Sequence, residues 1–132
     1  MQNRKRIAQA LVALGSIALF VGAALHAIAG YPAVSAALQG TEVPHRLISA
    51  FKAVWLFASW HWIAVDMFAL IAAFARTSPR RAILLLCGLV PLVDAAGAYS
   101  ALGLFIGDEL LAVAALAFLA SAALFPSTPT EL

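Results

Sequence analysis

The sequence predicts an all-α integral membrane bundle of four transmembrane helices, and two observations lead to that fold class. Of the 132 residues, 64% are hydrophobic and 11% are charged, whereas a soluble domain has roughly 45–50% apolar and about 25% charged residues. The apolar residues also gather into four stretches, each close to the ~20 residues that cross a hydrocarbon core. These observations exclude a soluble globular protein and indicate that lipid is the solvent.

The four predicted spans form a single domain. Gly30-Tyr31-Pro32 is expected to end the first span, because glycine favours a helix terminus and proline cannot continue a helix. The first apolar run is about 22 residues long, which exceeds the 7–15 residues of a signal peptide and favours an uncleaved helix. Residues 33–39 are expected to form a short interfacial helix, and residues 127–132 a loose tail. The spans lie at residues 7–29, 47–75, 82–103 and 108–125.

The distribution of Lys and Arg predicts the orientation of the bundle, because positively charged loops stay in the cytoplasm. One basic group precedes the first span and another fills the link between the second and third spans. Both groups are expected on the cytoplasmic side, so both termini are predicted to be cytoplasmic and the location to be a bacterial inner membrane. The two groups are Arg4, Lys5 and Arg6, and Arg76, Arg80 and Arg81.

Small residues predict which helix faces point inward, because lipid removes the usual hydrophobic attraction between helices and close packing replaces it. Gly15, Gly22 and His26 share one face of the first span. Small side chains also follow one face of the fourth span, at Ala114, Ala117 and Ser121. These faces serve either packing within the monomer or the assembly of a homo-oligomer, and the sequence leaves both open.

Four ionisable side chains lie within the predicted spans: His26, His61, Asp66 and Asp94. An aspartate at the centre of a membrane helix costs about 2.5–3.5 kcal/mol, so these residues are candidate functional groups. From the rise of an α-helix, His26 is expected near the outer surface, with the other three successively around the midplane. They form either a ladder that passes protons or a structural hydrogen-bond network. Asp94 is expected to face the interior, neutral or paired with a donor.

The second span carries a polar and aromatic stripe, since three- and four-residue steps place its members on one face. His61 lies about 140° around the helix from Asp66, so its expected partner is on the first or third span. Pro91 frees the Cys87 carbonyl one turn before Asp94, which suits a cavity. The aromatic members suit stacking on a quinone or, alternatively, interfacial anchoring and packing. The stripe comprises Lys52, Trp55, Ser59, Trp62 and Asp66.

Three histidines raise the possibility of haem or metal. A haem with two histidine ligands needs both at one depth, whereas His26 and His61 are expected to differ by roughly 13 Å. His26 and His45 are the remaining metal candidates, with Glu42 or Glu109 adding oxygen ligands. No H-x-x-H or H-E-x-x-H spacing accompanies them. The sequence therefore predicts no metal and no cofactor.

No catalytic residue is predicted. The chain has neither a G-x-S-x-G motif nor a Gly-rich phosphate loop, and Ser59 is on the wrong side of the helix to pair with His61. The net charge of +2 is too small to indicate a nucleic-acid partner. The single Cys87 has no partner for an internal disulfide and is expected to pack in the bundle.

The layout resembles that of small four-helix bacterial inner-membrane proteins of unknown function. The matching residues are His26 at the end of the first span and the run from Val54 to Trp62 in the second, which reads VWLFASWHW. The resemblance implies a membrane location and no particular activity.

Three functions remain open from the sequence. The first is a non-catalytic interaction or accessory subunit, with the bilayer and either a membrane-protein partner or a second copy of the chain as partners. The second is a small proton-coupled transporter or channel that uses the buried Asp and His residues, although a small four-helix drug exporter would usually carry an acid in its first helix. The third is a redox component that binds a hydrophobic ligand, a quinone or a metal.

Overall fold

The computed structural model describes residues 2–74 and 79–125, and that part of the chain is all-α. Four helical segments in it are long and apolar enough to cross a membrane, at Gln2–Ala37, His45–Phe74, Arg80–Leu102 and Ile106–Leu124. The first combines α1, a π-helical turn and α2, and the other three are α3, α4 and α5. The bounds within the first segment are Gln2–Leu25 for α1, His26–Gly30 for the π-helical turn and Tyr31–Ala37 for α2.

The first helix does not end at Gly30-Tyr31-Pro32, and that expectation was wrong. A proline clashes with the carbonyl four residues before it and cannot hydrogen bond to it. Here the π-helical turn lies directly before Tyr31, and the Tyr31 N–H bonds to the His26 carbonyl five residues back. The wider turn accommodates Pro32 in the next turn of helix. The expected interfacial helix over 33–39 is therefore α2, a direct continuation of α1.

The other helices begin and end within two residues of the predicted bounds. The turn between α4 and α5 contains Gly103 at a φ of 75°, a conformation that glycine adopts without strain. Asp108 and Glu109 lie in the first turn of α5, where carboxylates favour the positive end of the helix dipole. The expected tail at 127–132 lies outside the described residues.

Small residues bring α1, α4 and α5 together. A Cβ added to Gly15 would lie 2.7 Å from the Phe118 ring, and one added to Gly88 would lie 2.6 Å from Leu119 Cγ. The predicted inward faces of α1 and α5 are confirmed, since their small residues are buried within the monomer. The buried members are Gly15, Gly22, Ala114, Ala117 and Ser121.

Large apolar side chains cover the outside of the bundle. Phe57, Trp60 and Val93 each expose more than two-thirds of their surface, whereas Ser59, Asp66 and other polar groups are buried. This arrangement suits lipid, in which apolar side chains on the outside cost nothing and polar groups face inward.

Two hydrogen bonds join the beginning of α1 to the ends of α3 and α5. Gln9 Nε2 donates to the Ala73 carbonyl at 3.2 Å, and Ser121 Oγ donates to the Ala8 carbonyl at 2.9 Å. The beginning of α1, the end of α3 and the end of α5 therefore lie at one end of the bundle. The α4–α5 turn lies at the opposite end, which we call the turn end.

Candidate functional site

The π-helical turn places His26 against the polar face of α3. The His26 ring stacks on the Trp55 indole with centroids 4.2 Å apart and planes 8° from parallel. His26 Nδ1 lies 3.0 Å from Ser59 Oγ. The Trp55 indole N–H donates to the His26 carbonyl at 3.0 Å, and that carbonyl also accepts the Tyr31 N–H. The ring and the backbone of His26 are therefore both held by α3.

Asp94 on α4 contacts two side chains of α3 through one carboxylate oxygen. The Trp62 indole N–H donates to Asp94 Oδ2 at 2.7 Å, and His61 Nε2 lies 3.0 Å from the same oxygen. The expectations that His61 meets a neighbouring span and that Asp94 is paired with a donor are confirmed. Adjacent positions on α3 thus hold the carboxylate from two directions, because successive residues point about 100° apart on a helix.

Trp62 joins these two groups into one cluster. The His26 and Trp62 rings meet edge to face with centroids 5.0 Å apart, while the Trp62 N–H is bonded to Asp94. The predicted stripe on α3 is confirmed as an inward face, since Ser59, Trp62 and Asp66 are buried. We call the connected set the polar cluster, and it comprises His26, Trp55, Ser59, His61, Trp62 and Asp94.

A cavity of about 500 Å³ lies beside the polar cluster. It is bordered by the helical segment that contains α1 and by α3, α4 and α5. His26, Trp55, Trp62 and Asp94 line it together with apolar side chains. Leu102 and Phe105 from the turn end of the bundle form part of its wall. Ligand sites commonly have volumes of about 300–1,000 Å³, an apolar lining and a few convergent polar groups, and this cavity has all three properties.

Two polar atoms of the lining residues remain available to a ligand. Asp94 Oδ1 makes no hydrogen bond within the described part of the chain, and neither does His26 Nε2. The Ser59 hydroxyl has no other acceptor among the described residues, so we assign its hydrogen to His26 Nδ1. In a neutral ring Nε2 then carries the proton. Asp94 and His26 both line the cavity, whose other lining residues are mostly apolar.

Asp66 lies outside the polar cluster. Its side chain is buried beside Ser16 of α1 and near Cys87 of α4, and its Oδ1 has no hydrogen-bond partner in the described residues. Asp66 does not line the cavity, and neither does Pro91. The cavity lies beside Asp94 as expected, but the freed carbonyl at Cys87 does not form it. Cys87 instead borders an apolar groove with Val65 and Phe68.

The expected difference in depth between His26 and His61 was wrong. His26 is level with Ser59, two positions from His61, so the two rings differ in depth by about 3 Å and not by the expected 13 Å. His45 begins α3, about 21 Å along the axis from Ser59, so His26 and His45 do not meet. The described residues hold no group of three or more His, Cys, Asp or Glu side chains placed to bind a metal.

The walls of the cavity include residues that sequence reasoning did not single out. Ala98, Leu102 and Phe105 contribute to the lining, and the His26 carbonyl anchors Trp55. Nothing in their residue types marks the three side chains, because apolar residues fill every span. One feature of the sequence pointed to a role for the His26 carbonyl. Pro32 within an apolar run is compatible with a π-helical turn, and such turns occur frequently at functional sites.

The fold and the cluster together define a four-helix bundle of membrane-spanning type with a polar site inside it. Comparison with protein-family models, with curated proteins and with solved structures finds no match for this chain. The function is therefore argued from the geometry of the polar cluster and its cavity.

Proposed function

We propose that this chain is a small integral protein of the bacterial inner membrane, with both termini in the cytoplasm, that binds a small amphipathic molecule in the cavity between its helices. One observation carries the proposal: a cavity of ligand size is lined by Asp94 and His26, and each keeps an atom without a hydrogen-bond partner in the described chain. A ligand in the cavity would supply the hydrogen-bond partners that these two atoms lack.

The geometry of the cluster supports ligand binding. Here the hydrogen bonds of Trp55 and Trp62 hold both indoles at the wall of a space that remains open. A site with fixed aromatic and polar groups is suited to orient a bound molecule.

Tryptophan fluorescence tests the proposal. Trp55 and Trp62 line the cavity, whereas Trp60 is 68% exposed on the outside. In a Trp60→Phe background both remaining indoles therefore report on the cavity. We would titrate this protein in detergent with tetraphenylphosphonium, tetraphenylborate and a neutral decyl-substituted benzoquinone. A saturable change in emission with at least one compound supports ligand binding, and linear changes matching partition into micelles for all three contradict it.

A substitution that fills the cavity, compared with one on the outside of the same helix, tests whether the ligand binds in the cavity. Ala98 lines the cavity on α4, and Ala98→Phe is expected to abolish the saturable response because the larger ring occupies the ligand volume. Ala96 lies on the same helix but is exposed on the outside, so Ala96→Phe is expected to leave the response unchanged. Equal responses of the two variants would contradict binding in this cavity.

The accessory-subunit function stays a prediction and is compatible with ligand binding. A subunit of a larger complex would copurify with its partner in a mild detergent, and mass spectrometry of the purified material would identify that partner. Purification of the chain alone, from cells that express it at its natural level, would contradict the accessory function without affecting the proposed binding site.

A further inference from the structure

The cavity combines one carboxylate with aromatic surfaces. Asp94, Trp55, Trp62 and Phe105 all line it, and no Lys or Arg side chain of the described chain does so. Both indole N–H groups are already donated, to the His26 carbonyl and to Asp94 Oδ2. A ligand therefore meets aromatic rings, whose faces are negative, and a carboxylate oxygen without a hydrogen bond. Both features attract a cation.

The carboxylate of Asp94 favours a ligand of opposite charge. A carboxylate in an apolar environment is costly unless it is paired, and the contacts of Asp94 with Trp62 and His61 involve Oδ2 alone. The other ionisable group of the lining is His26, from the π-helical turn, while α5 contributes apolar residues, among them Ile106 and Leu111. A ligand cation at Oδ1 would supply a positive charge to the carboxylate.

Resting on the proposed ligand-binding function, we propose that the cavity takes a lipophilic organic cation, which pairs with the Asp94 carboxylate beside Trp55 and Trp62. The aromatic walls would contact the apolar substituents of the cation, and the carboxylate would pair with its charge.

A pair of probes with the same shape and opposite charge tests the ligand class. Tetraphenylphosphonium is a cation and tetraphenylborate is an anion of nearly the same size, so partition into empty micelles can be subtracted for each. In the Trp60→Phe background we expect saturable binding of the cation and none of the anion or of the neutral quinone. Saturable binding of the anion or of the quinone with equal or higher affinity would overturn the cation proposal.

Asp94→Asn and Asp66→Asn form the matched pair of variants. Asp94→Asn removes the charge and is expected to weaken tetraphenylphosphonium binding roughly tenfold or more. Asp66 is also a buried membrane aspartate but does not line the cavity, so Asp66→Asn is expected to leave the affinity unchanged. Equal affinities in both variants would overturn the assignment to Asp94. If Asp94→Asn fails to fold by circular dichroism, the charge pair of probes on the unaltered site decides. Absence of saturable binding by every probe would contradict the proposed function itself.

Discussion

Asp94 contacts two adjacent positions of α3. Its carboxylate accepts from Trp62 and contacts His61 through a single oxygen, so the other oxygen has no hydrogen-bond partner in the described chain. The proposed binding uses that second oxygen, because a ligand can pair with it while the contacts to α3 are kept.

The Trp62 hydrogen bond can be measured through stability. Trp62→Phe keeps an aromatic ring but removes the N–H that Asp94 accepts, and we expect a loss of about 1.5–3 kcal/mol of unfolding free energy. Trp60→Phe is the control, because Trp60 lies on the lipid-facing surface, and its expected effect is within about 0.5 kcal/mol. Titration with a denaturing detergent, followed by circular dichroism, gives both values. Equal losses would show that the bond to Asp94 contributes nothing.

At the scale of elements, the π-helical turn determines where the site forms. It lets the first helix continue past Pro32, and it contains His26, whose ring lies beside Ser59 of α3. It also presents the His26 carbonyl to the Trp55 indole. The turn ends at Gly30, where a Cβ would lie 2.9 Å from Trp55 Cζ2. The absence of a side chain at Gly30 therefore permits the close approach of the indole.

Gly30→Ala is expected to disturb this contact. The Trp55 ring is held by its stack on His26 and by its hydrogen bond, so it has little freedom to move away, and overpacking of this kind costs about 1–3 kcal/mol. The variant should also shift the emission of Trp55 in the Trp60→Phe background. Gly97→Ala is the control, since nothing lies within 4 Å of a Cβ at Gly97. There we expect no loss, or a gain of up to about 1 kcal/mol from helix propensity. Unchanged stability and emission in Gly30→Ala would contradict the proposed role of the glycine.

At the scale of the whole molecule, the arrangement of the helices places the beginning of α1, the end of α3 and the end of α5 at the same end of the bundle. The basic residues Arg4, Lys5 and Arg6 begin α1, while Arg80 and Arg81 begin α4. These charges therefore lie at the end opposite the α4–α5 turn. Their clustering supports a cytoplasmic location for that end, because basic segments are retained there during insertion.

Reporter fusions test this orientation. A reporter that is active only in the cytoplasm and is fused after Leu132 is expected to be active, and a reporter that is active only in the periplasm is expected to be silent at the same position. Combined Arg80→Ala and Arg81→Ala substitutions should lower the fraction with this orientation, because they remove part of the retained charge. Arg46 lies towards the turn end, so Arg46→Ala should not lower it. Activity of the periplasmic reporter in the unaltered chain would refute the proposed topology.

The sequence by itself predicted a lipid environment, four membrane-spanning helices and the faces of those helices that point inward. Composition and segment length identified a membrane bundle, and helical periodicity placed Ser59, Trp62 and Asp66 on one buried face of α3. The same periodicity turned His61 away from Asp66 and towards a neighbouring helix. These features depend on residues within one helix, whose relative positions follow from the pitch and rise of the helix.

Only the tertiary structure decided the level of His61 relative to His26, the pairing of His61 and Trp62 with Asp94, and the presence of a cavity beside them. The relative level of His26 and His61 depends on how far one helix is displaced along its neighbour, and the length of each span does not give that displacement. The pairing likewise depends on the rotation and height of α3 relative to α4. A cavity is the space that several helices leave between them, and no single segment of sequence encodes it.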